Sequence, residues 1–277
     1  HHHYLLSAAH CFFGPETSSA AQLRVVVGEH DLASAYETFA TRRYDLEALI
    51  LHEEFSQANG QPRNDIALLR TRTPIAWSRN VGPACLPLQP TEDGRKLPLA
   101  GHQVVAAGWG TTSYGGPQTH RLLKATLDVI DGQQCRQTLI SAGVGVPPHS
   151  FCTYTPGRDT CQYDSGGALY ERINGRLVAV GIVSFGQACA TQQPSVNTRV
   201  ASFIKWIRSK APEVAYCPGR PWLRIAFIPI RAQPIGPTGN ANVVDNANVV
   251  GNATVMATLT QWQRWCDRDQ VITLVRS

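Results

Sequence analysis

Residues 159–170 read "DTCQYDSGGALY". Ser165 stands between Asp164 and the pair Gly166-Gly167, and glycines at such a point favour a tight turn that exposes the hydroxyl. A serine hydroxyl is a poor nucleophile at neutral pH and needs an adjacent base. Two other stretches supply what it lacks. "LLSAAHC" (5–11) places His10 after two small alanines and before Cys11. "NDIALL" (64–69) puts Asp65 at the head of an apolar strand, where a carboxylate is buried at a cost unless a polar group meets it. Taken singly, these are a core histidine, a strand-end turn cap and a serine in a Gly-rich turn. Taken in the chain order His10, Asp65, Ser165, they have the residue types of a base, its orienting carboxylate and a nucleophile.

Around these segments the chain reads as all-β. Short β-branched and apolar runs occupy Leu23–Val27, Ala48–Leu51, Ile66–Leu69, Val104–Ala107, Leu127–Ile130, Leu177–Val183 and Ser195–Val200. Turn residues punctuate them, and Asn174-Gly175 predicts a hairpin between Tyr170–Ile173 and Arg176–Val180. Such spacing indicates a barrel or sandwich. The stretch 87–103 is the best connector between two β units. One helix is predicted where Val200, Phe203, Ile204 and Ile207 repeat at helical spacing, capped by Ser202, stopped by Pro212 and packed on the second β unit. After Gly219 the composition shifts to Pro-rich sequence and the near-repeat "NANVVDNANVVGNATV", so 213–277 is expected to be a poorly ordered extension or sequence beyond the natural domain end. Asn252-Ala253-Thr254 matches a glycosylation sequon, a pattern short enough to occur by chance.

Composition narrows the class. The 277 residues are 43% hydrophobic and 16% charged, as in globular proteins, with a net charge of +5. No basic run or basic-aromatic ladder is present, which argues against nucleic acid as a partner. No apolar run approaches the ~18 residues of a membrane span. Eight cysteines form no CxxC pair and no zinc-type spacing with histidine. Beside a single Met, they point to disulfides in an oxidising compartment.

With "GWG" at 108–110 as a fourth block, the chain over roughly residues 1–212 resembles the trypsin/chymotrypsin family of serine proteases. The resemblance implies two six-stranded antiparallel β-barrels with a C-terminal helix. The first (1–90) lacks its start, and the second is carried by 91–212. The site lies between them. It implies His10, Asp65 and Ser165 as the catalytic triad, with backbone N–H groups of Tyr163 and Ser165 as the oxyanion hole. It also implies a substrate pocket from Asp159, Ser184, Gly186 and Ser195, with Asp159 matching the position that makes such pockets accept Arg or Lys. Asp164 matches the residue that pairs with a newly cut N-terminal ammonium. Disulfides Cys135–Cys152 and Cys161–Cys189 follow, each contributing about 3 kcal/mol in the loop-entropy model. Cys85 fits a tether to an upstream pro-region, while the pairing of Cys11, Cys217 and Cys266 stays open. The implied protein is a secreted zymogen acting on protein substrates and met by protease inhibitors. The alternative is a weak or inactive homologue that binds partners through the old cleft.

Departures from the family pattern qualify these expectations. The activation site and the half-cystine expected to pair with Cys11 do not precede His1–His3, so the chain is expected to be a zymogen-like fragment of a longer secreted precursor. Tyr163 replaces a glycine, predicting either a strained positive φ costing about 1–2 kcal/mol or a flipped peptide that loses an oxyanion donor. Ser195 replaces another glycine and narrows the slot at Asp159; Asn197 stands where an aromatic is usual. Glu29 and Glu37 fall in a loop that binds Ca²⁺ in some relatives, but their spacing is off and no cofactor is expected. The "CQYDSGG" and "PSVNTRV" variants resemble secreted arthropod proteases, some with an upstream CUB domain.

Overall fold

A computed structural model describes residues 1–14, 19–34, 40–58, 60–91, 94–189 and 191–214, together with the backbone of 255–259 and 270–276. The strands of the first half are β1 (Tyr4–Ser7), β2 (Leu23–Val27), β3 (Arg42–Leu51), β4 (Ser56–Ala58), β5 (Gln61–Arg63) and β6 (Ala67–Thr71). The second half holds β7 (Gln103–Gly108), β8 (Leu123–Asp128), β9 (Ser150–Thr153), β10 (Ala168–Ile173), β11 (Arg176–Phe185) and β12 (Ser195–Arg199). Strands β13 (Val255–Leu259) and β14 (Gln270–Arg276) lie in the extension, and helices α1 (Gly132–Ser141) and α2 (Ile204–Lys210) complete the set.

Two curled sheets result, as the sequence reading expects of the fold class, ordered β1-β6-β3-β2-β14-β13 and β8-β7-β10-β11-β12-β9; the first reaches six strands only through β14 and β13 of the extension. One detail differs: β14 runs parallel to β2. A parallel neighbour requires a long connection rather than a tight turn, and β14 is remote from β2 in sequence. The predicted hairpin forms as read, with Asn174 at φ +50° and Gly175 at φ +77°, the left-handed pair a two-residue turn requires.

Some elements depart from the sequence reading. The run Leu127–Ile130 overlaps only the last two residues of β8, which begins at the exposed Leu123 and Lys124, where the charged lysine breaks the apolar run. Helix α1 went unpredicted because only Cys135 and Leu139 of its ten residues are buried. Asp131 starts it, accepting hydrogen bonds from the N–H groups of Gln133 (2.8 Å) and Gln134 (3.1 Å). At the predicted helix near 200, Val200–Ser202 forms a separate 3-10 turn, and Phe203, without a side-chain cap, precedes α2. Ser202 is therefore inside the turn and not the cap.

Helix α2 does not sit on the second sheet alone. Ile204 and Ile207 join an apolar cluster that runs through Leu5, Leu68 and Leu69 of the first sheet to Ala179 and Ile182 of the second. Outside it, the His52 ring just past β3 lies 5.4 Å from Phe203 and 5.1 Å from Trp206. Trp206 Nε1 donates to Glu53 Oε2 at 2.8 Å, and Lys210 pairs with the same carboxylate. The helix clamps the two halves together across the seam that carries the site.

Candidate active site

Register brings the first two groups together. Strands β1 and β6 pair antiparallel with Ser7 opposite Ala67, so the residues leaving β1 lie beside those entering β6. Ala8 and Ala9 are fully buried, and only small side chains let the 3-10 turn Ala9–Phe12 fold down there. Asn64, at φ +49°, turns Asp65 inward. Asp65 is 3% exposed, and its carboxylate is met on every side that matters. Oδ1 accepts from the His10 N–H (2.8 Å); Oδ2 accepts from His10 Nδ1 (2.7 Å) and from Ser184 Oγ (2.5 Å). Thr198 Oγ1 donates to the Asp65 carbonyl at 2.8 Å.

These contacts set the charges. Burial alone would depress the His10 imidazolium, but the Asp65 charge and hydrogen bond outweigh it and hold its pKa well above the usual value. Burial alone would raise the Asp65 carboxyl, yet the His10 charge and the donors from His10 and Ser184 keep it below the ordinary range. With Nδ1–H directed at Asp65, Nε2 carries the lone pair when the ring is neutral; Cys11 Sγ lies 3.8 Å from it.

Ser165 comes from the second half, on a turn fastened at both ends. The Gly166 N–H donates to the Val183 carbonyl (2.9 Å), and the Val183 N–H to the Gly167 carbonyl (2.8 Å). Val183 directly precedes Ser184, so the strand that carries the Ser165 turn also reaches Asp65. From the other side Ser7 Oγ donates to the Gly166 carbonyl at 3.3 Å, tying the turn to the end of β1 just before His10. Hydrogen bonds thus join His10 to Asp65 directly, while among the described residues none engages Ser165 Oγ. Nucleophile–base bonds are commonly open before substrate binds.

The turn's conformation answers the question raised by Tyr163. It stands at φ +76°, so the chain keeps the left-handed conformation and bears the strain instead of flipping the peptide. Tyr163→Gly is expected to raise stability by about 1 kcal/mol, the relieved strain less the extra freedom of glycine in the unfolded chain. A denaturant midpoint unchanged or lowered at constant slope would contradict this.

Asp164 turns away from the seam. Its carboxylate accepts the N–H groups of Cys161 (2.9 Å) and Gly110 (3.0 Å). The "GWG" glycines make room for it: a Cβ on Gly108 would sit 2.0 Å from Asp164 Oδ1, and one on Gly110 2.5 Å from Oδ2. Burial pushes the carboxyl up to about 6, against the pull of these two N–H donors and with help from the nearby Asp159 charge.

At the predicted pocket, Asp159 and Ser195 meet. Ser195 Oγ lies 2.8 Å and 2.9 Å from the two Asp159 oxygens, and the Thr160 N–H donates to Oδ1 at 2.8 Å. Gly186 stands opposite and leaves room for the hydroxyl, since a Cβ there would lie 3.0 Å from Ser195 Oγ. Ser184 differs from its neighbours, since its side chain serves Asp65. Asn197 is buried and donates from Nδ2 to Thr153 Oγ1 at 3.1 Å. The sequence reading passed over Gln162, whose Oε1 accepts the Gly115 N–H at 2.7 Å and ties the rim beside Tyr163 to the turn at 113–116. A glutamine beside a cysteine carries no sequence signal for such a tether.

The predicted disulfides Cys135–Cys152 and Cys161–Cys189 form. The second joins the segment before Ser165 to the chain entering Ser195. Cys85 is half-buried and bridges to Val178 in the second sheet. Cys217, Cys266, Glu37 and the sequon at Asn252 lie outside the described residues. Among the described residues no group of three or more His, Cys, Asp or Glu gathers to hold a metal ion, and no helix is long and apolar enough to cross a membrane.

A fold of two curled sheets with a histidine–carboxylate pair on one and a Gly-flanked serine turn on the other defines a class of protein, and comparison with known sequences gives the same answer. Residues 1–207 match the Trypsin family model, and the chain belongs to the trypsin family of serine proteases. Over 218 residues it is 39% identical to Venom serine protease 34 of Apis mellifera, covering 77% of this chain and 51% of that protein. It is 35% identical over 216 residues to Venom serine protease of Polistes dominula (77% and 74% of the two chains). With Trypsin-1 of Astacus astacus it shares 32% over 215 residues (75% and 84%). The chain therefore spans about half the length of the honeybee relative and more of the other two.

Proposed function

We propose that residues 1–212 form the protease unit of a secreted serine endopeptidase that works through His10, Asp65 and Ser165. The observation that supports this most is the buried Asp65 carboxylate holding His10 Nδ1 while the Ser165 turn is tied to the same strand end by Ser7. Ser165 Oγ attacks the scissile carbonyl carbon and passes its proton to His10 Nε2. The oxyanion is met by the N–H groups of Tyr163 and Ser165. Collapse expels the amine, which takes the proton from His10 and leaves an acyl-enzyme that water hydrolyses by the same sequence. Asp65 holds the ring in the Nδ1–H tautomer and stabilises its cationic form.

Asp159 at the pocket base supports cleavage after Arg or Lys in protein substrates, since a half-buried carboxylate there gains from a cationic partner. Asp164 supports zymogen activation: its carboxyl, raised to about 6 by burial, is matched by a new N-terminal ammonium once a precursor is cut. The two disulfides support an extracellular setting, and half-exposed Cys85 supports a tether to an upstream pro-region. Protease inhibitors are natural partners of such a cleft.

One observation favours a second reading, a non-catalytic homologue that binds through the cleft: Tyr163 holds a strained conformation where the family uses glycine. Labelling by a serine-directed phosphonate decides between them. In full-length precursor treated with an activating protease, label should attach and be lost in Ser165→Ala. No label in folded, processed protein favours the binding reading.

A further inference from the structure

We infer that Ser195 makes this pocket select lysine over arginine at the residue preceding the cut, and the inference rests on the reading that Asp159 is the floor of that pocket. The hydroxyl stands 2.8 Å and 2.9 Å from the two Asp159 oxygens, hence close to the bisector of the carboxylate. That bisector is the seat of a bidentate guanidinium, whose two N–H donors must each face one oxygen in the carboxylate plane. Ser195 occupies it.

The hydroxyl cannot easily step aside. Its contact with both Asp159 oxygens holds its rotamer, and Gly186 opposite, having no side chain, is what leaves it room there, since a Cβ would lie 3.0 Å from Ser195 Oγ. Ser195 is 5% exposed and held in β12, where its neighbour Val196 pairs with Phe185 of β11 and Cys152 of β9. Thr160 N–H further pins Asp159 Oδ1, so the carboxylate does not swing to offer a new edge.

An ammonium has different needs. It is compact, with three rotatable donors and no planar demand. A serine hydroxyl donates one hydrogen bond and keeps lone pairs to accept another. Ser195 therefore relays: its O–H points to Asp159 while its oxygen accepts an N–H of the lysine ammonium. The charge of Asp159 still acts on that ammonium through the hydroxyl. A guanidinium reaching the same oxygen makes one bond where its geometry offers two.

Small cations test this without depending on catalysis. Binding of n-butylammonium and n-butylguanidinium to the full chain would be measured by calorimetry, for the parent, Ser195→Gly and Ser195→Ala. The parent is expected to bind the ammonium about tenfold more tightly. Ser195→Gly should bring the ratio to about one or reverse it, chiefly by tighter guanidinium binding. Ser195→Ala keeps the methylene without the relay and should weaken ammonium binding severalfold. A parent that binds the two equally, or the guanidinium better, overturns the inference while leaving Asp159 as the pocket floor. A parent that binds neither overturns both. The parent ratio alone suffices if a variant fails to fold.

Discussion

Asp65→Asn is expected to lower kcat by about four orders of magnitude while the fold survives. The asparagine amide has the shape of the carboxylate but only one acceptor oxygen. If that oxygen keeps the His10 backbone N–H, the amide Nδ2 faces both His10 Nδ1 and Ser184 Oγ, positions now served by Asp65 Oδ2. The amide then donates to Nδ1, the ring proton moves to Nε2, and the lone pair that should take the serine proton points the wrong way. A pH profile separates this from general damage. His10 must be neutral to act as base, and its pKa is held well above 6.5, so parent activity should fall with decreasing pH already above that value. In Asp65→Asn the anion is gone and the residual activity should have its acidic limb at lower pH. The measurement is steady-state turnover of processed full-length protein from pH 5 to 9; a variant with parental kcat would remove Asp65 from the mechanism.

The second large effect is on stability and comes from Asp164. Its folded-state pKa is about 6 against 3.8 for the ordinary carboxyl, so between those values the folded chain holds a proton that the unfolded chain has released. Stability contributed by this group is complete below about pH 4 and declines as pH rises through 6. The difference corresponds to about 3 kcal/mol. The window is narrow and the sign unusual, because most carboxylates in folded proteins are favoured by ionisation. Denaturant midpoints of this chain from pH 4 to 7, at fixed salt, should show the decline. In processed full-length protein an ammonium paired with Asp164 would lower its pKa and reverse the slope. A flat profile in the unprocessed chain would mean that the two N–H groups from Gly110 and Cys161 already satisfy the charge.

The same physics explains which features are legible in the residues alone. Singly, His10, Asp65 and Ser165 have ordinary structural explanations; they stand out because a histidine after two alanines, a carboxylate at the head of an apolar strand and a serine on a glycine turn occur together in one chain order. Strands such as Leu23–Val27 are visible because their side chains are buried and β-branched, whereas α1 and the start of β8 face water and resemble loops.

What the sequence carried by itself, then, was the class of fold and the candidates His10, Asp65 and Ser165, written in short patterns, and, through the family resemblance, the two disulfide pairings. Only the tertiary structure decided how the anonymous polar residues are used. It assigned Ser184 to Asp65, Ser195 to Asp159 and Gln162 to Gly115, packed α2 against both halves, and showed that Tyr163 accepts a positive φ. Hydroxyls and amides have many possible partners and no periodicity to announce them. Their roles are fixed by which strands the two sheets bring edge to edge, and that is a property of the folded chain.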